Sequence, residues 1–168
     1  SFQSQFNLFK SIFQDTKNIF KCGGSAPNPS FGDRWNVNIQ NAAHGQFCLN
    51  AQSYANESPN NIYGCASHPD QKWNIRSAEG EYKHVQSNKF QVCLNLQDSY
   101  DYKETNLYQC NLHQDQEWKV RTTSNGQVMF ESRRAPGKCL AINQAYNEAR
   151  TVIKGCYDED YTQRWNVY

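Results

Sequence analysis

"CLNAQSYANESPNNIYGC", residues 48–65, returns 45 residues later as "CLNLQDSYDYKETNLYQC", residues 93–110. Both phrases are bounded by cysteines, carry Asn directly after Cys-Leu, and place Tyr two residues before the closing Cys. A third version runs from Cys139 to Cys156 and keeps the cysteines and the leucine, but neither the Asn nor the Tyr. Each version is followed by Gln-x-Trp: "QKW" at 71–73, "QEW" at 116–118 and "QRW" at 163–165. Aligned without a gap, 11 of the 26 positions in 48–73 are identical in 93–118, more than shared composition produces. The chain therefore holds three tandem units of about 45 residues.

Within each unit short apolar pieces such as "WNVNI", "FCLN", "NIYGC" and "KWNI" alternate with turn-forming residues, and none sustains a helical period. These read as short strands and the domain as all-β. Four strands per unit suit either propeller blades or the lobes of a three-fold barrel. Three units are too few for an ordinary propeller and fit the closed barrel.

The remaining composition sets limits. A formal net charge of +1 over 168 residues gives no bulk attraction for nucleic acid. A mean hydropathy of -0.91 predicts a core with few aliphatic groups and many half-buried aromatics, in need of further stabilisation. Seven cysteines point to a disulfide framework and an oxidising, secreted or extracellular setting. With no signal peptide visible and Ser1 in first place, a processed or trimmed product is expected. No apolar run is long enough to span a bilayer, so direct membrane insertion is not expected.

Residues 1–21 place Phe2, Phe6, Phe9, Phe13 and Phe20 at helical spacing and predict an amphipathic helix. Residues 22–30, with Gly23, Gly24, Pro27 and Pro29, form a linker. The repeats then occupy 31–168, with lobes of about 31–77, 78–122 and 123–168.

With three Gln-x-Trp motifs in register with three Cys-Leu to Cys segments, residues 35–168 resemble the ricin-type β-trefoil lectins, including the lectin subunits of two-chain toxins. The resemblance implies a β-trefoil whose tryptophans fill the barrel while each Gln ties down backbone. It also implies a shallow sugar pocket per lobe. An acid stands two residues after the first Cys, an aromatic two before the second, and a polar residue just ahead of Gln-x-Trp.

Carried over residue by residue, lobe one offers Asn50, Tyr63 and Asp70, with Asn61 and Gln71. Lobe two offers Asn95, Tyr108 and Asp115, with Asn106 and Gln116. A stacking aromatic and convergent polar groups are what a sugar ring needs. Asn replaces the family's usual aspartate in both lobes, exchanging a double acceptor for an amide with one acceptor and one donor group. Lobe three has Ala141, Lys154 and Thr162 at the matching places and is expected to be silent.

Each cysteine pair encloses 16 residues, and this constant spacing argues for bonds within units: Cys48–Cys65, Cys93–Cys110 and Cys139–Cys156. Cys22 is left over. It is either a free thiol or an intermolecular bridge, to a second chain or to another copy in a homodimer. The N-terminal helix either folds back on its own barrel or docks on a partner. His68 and His113 share one repeat position and read as hairpin or pocket-rim groups; His44 and His84 complete no zinc spacing.

No metal, cofactor or catalytic constellation is expected. The sequence thus predicts a non-enzymatic glycan-binding module, with terminal galactose-like sugars favoured. The alternative is a trefoil with vestigial pockets that holds a toxin or enzyme chain through its N-terminal segment. The sequon Asn56-Glu57-Ser58 falls in the lobe-one hairpin, where a glycan would obstruct that lobe's own pocket.

Overall fold

The computed structural model describes residues 30–168. The expected helix, Cys22 and all but the last residue of the linker lie outside the described residues. Thirteen strands follow in order: β1 Arg34–Val37, β2 Ile39–Asn41, β3 Phe47–Ala51, β4 Ser58–Gly64, β5 Trp73–Ser77, β6 Tyr82–Ser87, β7 Val92–Asn95, β8 Asn106–Gln109, β9 Trp118–Thr122, β10 Val128–Ser132, β11 Lys138–Ile142, β12 Thr151–Gly155 and β13 Trp165–Val167. The pairings β1–β5, β5–β6, β6–β9, β9–β10, β10–β13 and β13–β2 close a ring, since β1 and β2 are separated by a single residue. Three hairpins, β3–β4, β7–β8 and β11–β12, complete the lobes. This is a β-trefoil, and closing the ring removes the exposed sheet edges of an open sheet.

The tryptophans of the repeats are fully buried. Each indole N–H donates to the carbonyl of the leucine after the lobe's first Cys: Trp73 to Leu49 at 2.9 Å, Trp118 to Leu94 at 3.1 Å and Trp165 to Leu140 at 3.1 Å. The Gln two residues earlier binds backbone at both ends of its amide. Gln71 accepts from Ala66 N and donates to Gly64 O, Gln116 accepts from Asn111 N and donates to Gln109 O, and Gln163 accepts from Tyr157 N and donates to Gly155 O. The disulfides Cys48–Cys65, Cys93–Cys110 and Cys139–Cys156 are formed, with Cα separations of 5.0, 5.1 and 5.1 Å. On the chain-entropy model each stabilises by about 3 kcal/mol.

One expectation needs correction. The core is not lean in aliphatics: Ile39, Leu49, Ile62, Ile75, Leu94, Leu96 and Leu107 surround the indoles without solvent contact. The tyrosines lie outward instead, Tyr54 being 75% exposed and Tyr146 55%. Low mean hydropathy reflects the polar surface, not a thin interior. Tyrosine needs a partner for its hydroxyl, whereas each Gln-x-Trp tryptophan has one for its indole inside the barrel; Trp35, outside those motifs, is 60% exposed.

The hairpins interlock in a cycle. At the same repeat position Glu57, Tyr102 and Glu148 adopt left-handed φ values of 68°, 63° and 72°. Each donates its N–H into the next lobe's hairpin: Glu57 to Leu107 O at 2.8 Å, Tyr102 to Ile153 O at 2.8 Å and Glu148 to Ile62 O at 2.9 Å. Where the hairpins meet, the buried Asn60, Thr105 and Thr151 hydrogen-bond to one another.

Trp118→Phe should cost about 2–4 kcal/mol in urea unfolding, because it opens a cavity and strands the buried Leu94 carbonyl. A second prediction concerns His84, buried with neither ring nitrogen satisfied. Burial, and then the charge of Arg76, holds this imidazole below its ordinary value of 6.5. The unfolded chain then binds the extra proton, so stability is lost as pH falls below about 6.5. His84→Gln should flatten that part of the stability–pH curve in denaturant titrations run from pH 7.5 to pH 5.

Candidate carbohydrate-binding site

Strand register builds the site. Leu49 pairs with Ile62 and both enter the core. Strand alternation then puts Asn50, Asn61 and Tyr63 together on the opposite face, since Asn50 pairs with Asn61 and Cys48 with Tyr63. Lobe two repeats this with Leu94 and Leu107 inward, Asn95 opposite Asn106, and Cys93 opposite Tyr108. Tyr63 is 39% exposed, an aromatic face open to a ligand.

The third group arrives on a 3-10 turn. In Pro69–Gln71 the Nδ1 of His68 accepts from the Asp70 N–H at 3.2 Å; in Gln114–Gln116 the Nδ1 of His113 accepts from the Asp115 N–H at 3.3 Å. The two histidines are caps, and they aim the aspartates across the end of each hairpin. Lys89 holds Asp70 at 2.7 Å, whereas the matching Arg134 stands 3.7 Å from Asp115. One oxygen of Asp115 is buried without a hydrogen-bond partner.

In lobe two Asn95, Tyr108, Asp115 and Gln116 line a shallow cavity of about 250 Å³, together with Gln97, Asn111 and His113. Gln97 and Asn111 were not foreseen. Gln52 and Gln97 are identical in the repeat, and that identity was a signal available in the sequence. Gln71 and Gln116 each have both amide ends engaged with backbone, so Gln116 lines the cavity as a fixed part of its wall. Asn50, Asn61, Asn95 and Asn106 are all buried; Asn61 and Asn106 are engaged at both amide ends, whereas Asn50 and Asn95 donate but accept from no donor among the described residues.

Lobe three is built differently on the same frame. Ala141 pairs with Val152 and Cys139 with Lys154. The Lys154 ammonium lies 2.7 Å from Asp160, which caps the 3-10 turn Tyr161–Gln163 in place of histidine. Burial alone would push the Asp160 carboxyl up, but hydrogen bonds from Lys154 and Thr162 outweigh it and hold the group below the usual carboxylate range. An ion pair sits where the other lobes keep an aromatic face.

The lobe-one sequon is also placed differently from expectation. Asn56 Oδ1 accepts from the Gln109 N–H at 2.8 Å, so the hairpin tip borders lobe two beside Tyr108. The hairpins lean on the next lobe, which local sequence does not disclose.

Three lobes, each closed by a Gln-x-Trp motif and stapled by a disulfide, define the class as a β-trefoil of tandem repeats. Residues 35–165 match the ricin-type beta-trefoil lectin domain, and the chain belongs to that family. No match was found among curated proteins. Among solved structures, the fold is similar to a mosquitocidal holotoxin with a TM-score of 0.72 at 17% identity, covering 86% of this chain and 18% of that one. It is similar to the designed three-fold symmetric protein ThreeFoil with a TM-score of 0.72 at 15% identity, covering 78% and 96%. It is also similar to the Polyporus squamosus lectin bound to Neu5Aca2-6Galb1-4GlcNAc, with a TM-score of 0.68 at 15% identity, covering 82% and 49%.

Proposed function

We propose that this protein is a secreted, non-catalytic lectin module that binds cell-surface or extracellular glycans through lobes one and two, with lobe two the better formed site. One observation carries the reading: the outward face of two hairpins bears Asn, Asn and Tyr beside an Asp, while the third hairpin of the same frame bears Ala, Val and Lys. Were Tyr63 and Tyr108 needed for the barrel, Lys154 could not replace them. In this reading Tyr108 stacks on the C–H face of a terminal galactose-like sugar, and Asn95 and Asp115 receive its hydroxyls. Tyr63, Asn50 and Asp70 act likewise.

The three disulfides support an extracellular setting. Among the described residues no helix is long and apolar enough to cross a membrane. Shallow single sites of this kind bind weakly, and engaging two at once raises avidity by about 10²–10⁴ through effective concentration. The chain spans only 18% of the holotoxin it is similar to. Service as the receptor-binding part of a toxin, held to a second chain through Cys22, is the extension of this proposal.

A glycan array is the test. Wild type should bind galactose-terminated glycans, Tyr108→Ala should weaken binding at least tenfold, and Tyr63→Ala with Tyr108→Ala should abolish it with urea midpoints near wild type. A wild type that binds no glycan overturns the lectin reading in favour of a protein-holding subunit.

A further inference from the structure

The asparagines that replace the family's aspartate each stand at the end of a row of side-chain amides. In lobe two, Asn95 Nδ2 donates to Asn106 Oδ1 at 2.8 Å, Asn106 Nδ2 donates to Gln97 Oε1 at 3.2 Å, and Gln97 Nε2 donates to Glu57 Oε1 at 3.1 Å. Lobe one repeats the row: Asn50 to Asn61 at 3.0 Å, Asn61 to Gln52 at 3.3 Å, and Gln52 to Glu148 at 3.5 Å. Each amide offers an oxygen on one side and an NH₂ on the other, so three amides alone could run in either direction. A carboxylate only accepts. It fixes the last amide with its NH₂ toward the Glu, and every amide before it follows. The far end then shows oxygen. No donor among the described residues reaches Asn95 Oδ1 or Asn50 Oδ1, and neither oxygen is sealed from solvent.

The carboxylates come from outside the lobes they serve. Glu57 belongs to the lobe-one hairpin and reaches lobe two; Glu148 belongs to the lobe-three hairpin and reaches lobe one. The matching residue that leans on lobe three is Tyr102. Lobe three has Asn143 at the position of Gln52 and Gln97, but Ala141 opposite Val152 where the other lobes have their paired asparagines, so no amide row leads on from it. At this one repeat position, therefore, a carboxylate leans on each of the two lobes that carry an Asn–Tyr face and Tyr102 leans on the third, where the lobe-two hairpin's Asp101 and Glu104 pair instead with Lys138 and Arg150.

We infer that Glu57 and Glu148 are positioning residues that polarise these amide rows, so that Asn95 and Asn50 each present an acceptor oxygen to a hydroxyl-bearing ligand. This rests on the glycan reading of the same pockets. It makes the asparagine pockets select for hydroxyl donors, and it assigns the setting of each pocket to its neighbouring lobe.

The test uses immobilised galactose-bearing polymer and two backgrounds. With Tyr63→Ala, binding is confined to lobe two. There Glu57→Gln, which leaves both row directions equally available, should weaken binding about twofold, and Glu57→Lys, which can only donate and so reverses the row, about fivefold. With Tyr108→Ala, binding is confined to lobe one, and both substitutions should leave affinity unchanged although residue 57 lies in that lobe's own hairpin. Equal losses in both backgrounds, or no loss in lobe two, overturn the inference.

A second readout needs no sugar. In ¹H–¹⁵N spectra the side-chain amides of Gln97, Asn106 and Asn95 should shift together as acid protonates Glu57, and should not do so in Glu57→Gln. Coupled shifts in a protein that binds no glycan would sustain the polarised row and sink the lectin reading. Glycan binding without coupled shifts would do the reverse.

Discussion

An indole N–H buried in a barrel must find an acceptor, and in each lobe it finds the carbonyl of the leucine after the first cysteine. That bond ties the strand opening each hairpin to the strand closing each lobe. It seats the leucine inward, and the pleat then turns the next residue out. The pocket is thus a consequence of core packing: once Leu94 is seated, Asn95, Asn106 and Tyr108 share a face without further instruction. The Gln of the same motif fixes the loop from Gln109 to Asn111, which carries the chain from the aromatic to the aspartate's turn.

Much of this was legible in the chain because it recurs at fixed spacing. Gln-x-Trp, Cys-Leu and the constant interval between cysteines gave the trefoil and its disulfides, since each describes contacts inside one repeat. Aromatic placement was not legible from composition. Tyr54 and Trp73 count alike in a tally, yet one is mostly exposed and the other wholly buried. What separates them is a hydrogen-bond partner, which only the fold supplies. The direction in which the hairpins lean was hidden for another reason. Glu57 and Gln97 are 40 residues apart, and no local pattern says which neighbouring lobe a tip will meet.

The third lobe shows what the fold requires and what it merely permits. It keeps the disulfide, the Gln163 backbone bonds and the Trp165 indole bond, and it replaces the outward residues with an apolar pair and the Lys154–Asp160 ion pair. A frame that tolerates such different surfaces in equivalent positions has its stability invested inward. Its outer faces are free to take on separate recognition tasks.

The cyclic docking of the hairpins bears on how the molecule opens. Each lobe supplies the donor for its neighbour's carbonyl, at Leu107, Ile153 and Ile62 in turn, so detaching one lobe strands groups on both of the others. Unlike a linear solenoid, which can fray from its ends, a ring of three has no outermost repeat. Deep amides in all three lobes should then exchange with solvent through one shared global opening, not through three local ones. A domain whose three lobes carry such different outer faces would thus behave, in its fluctuations, as a single cooperative body.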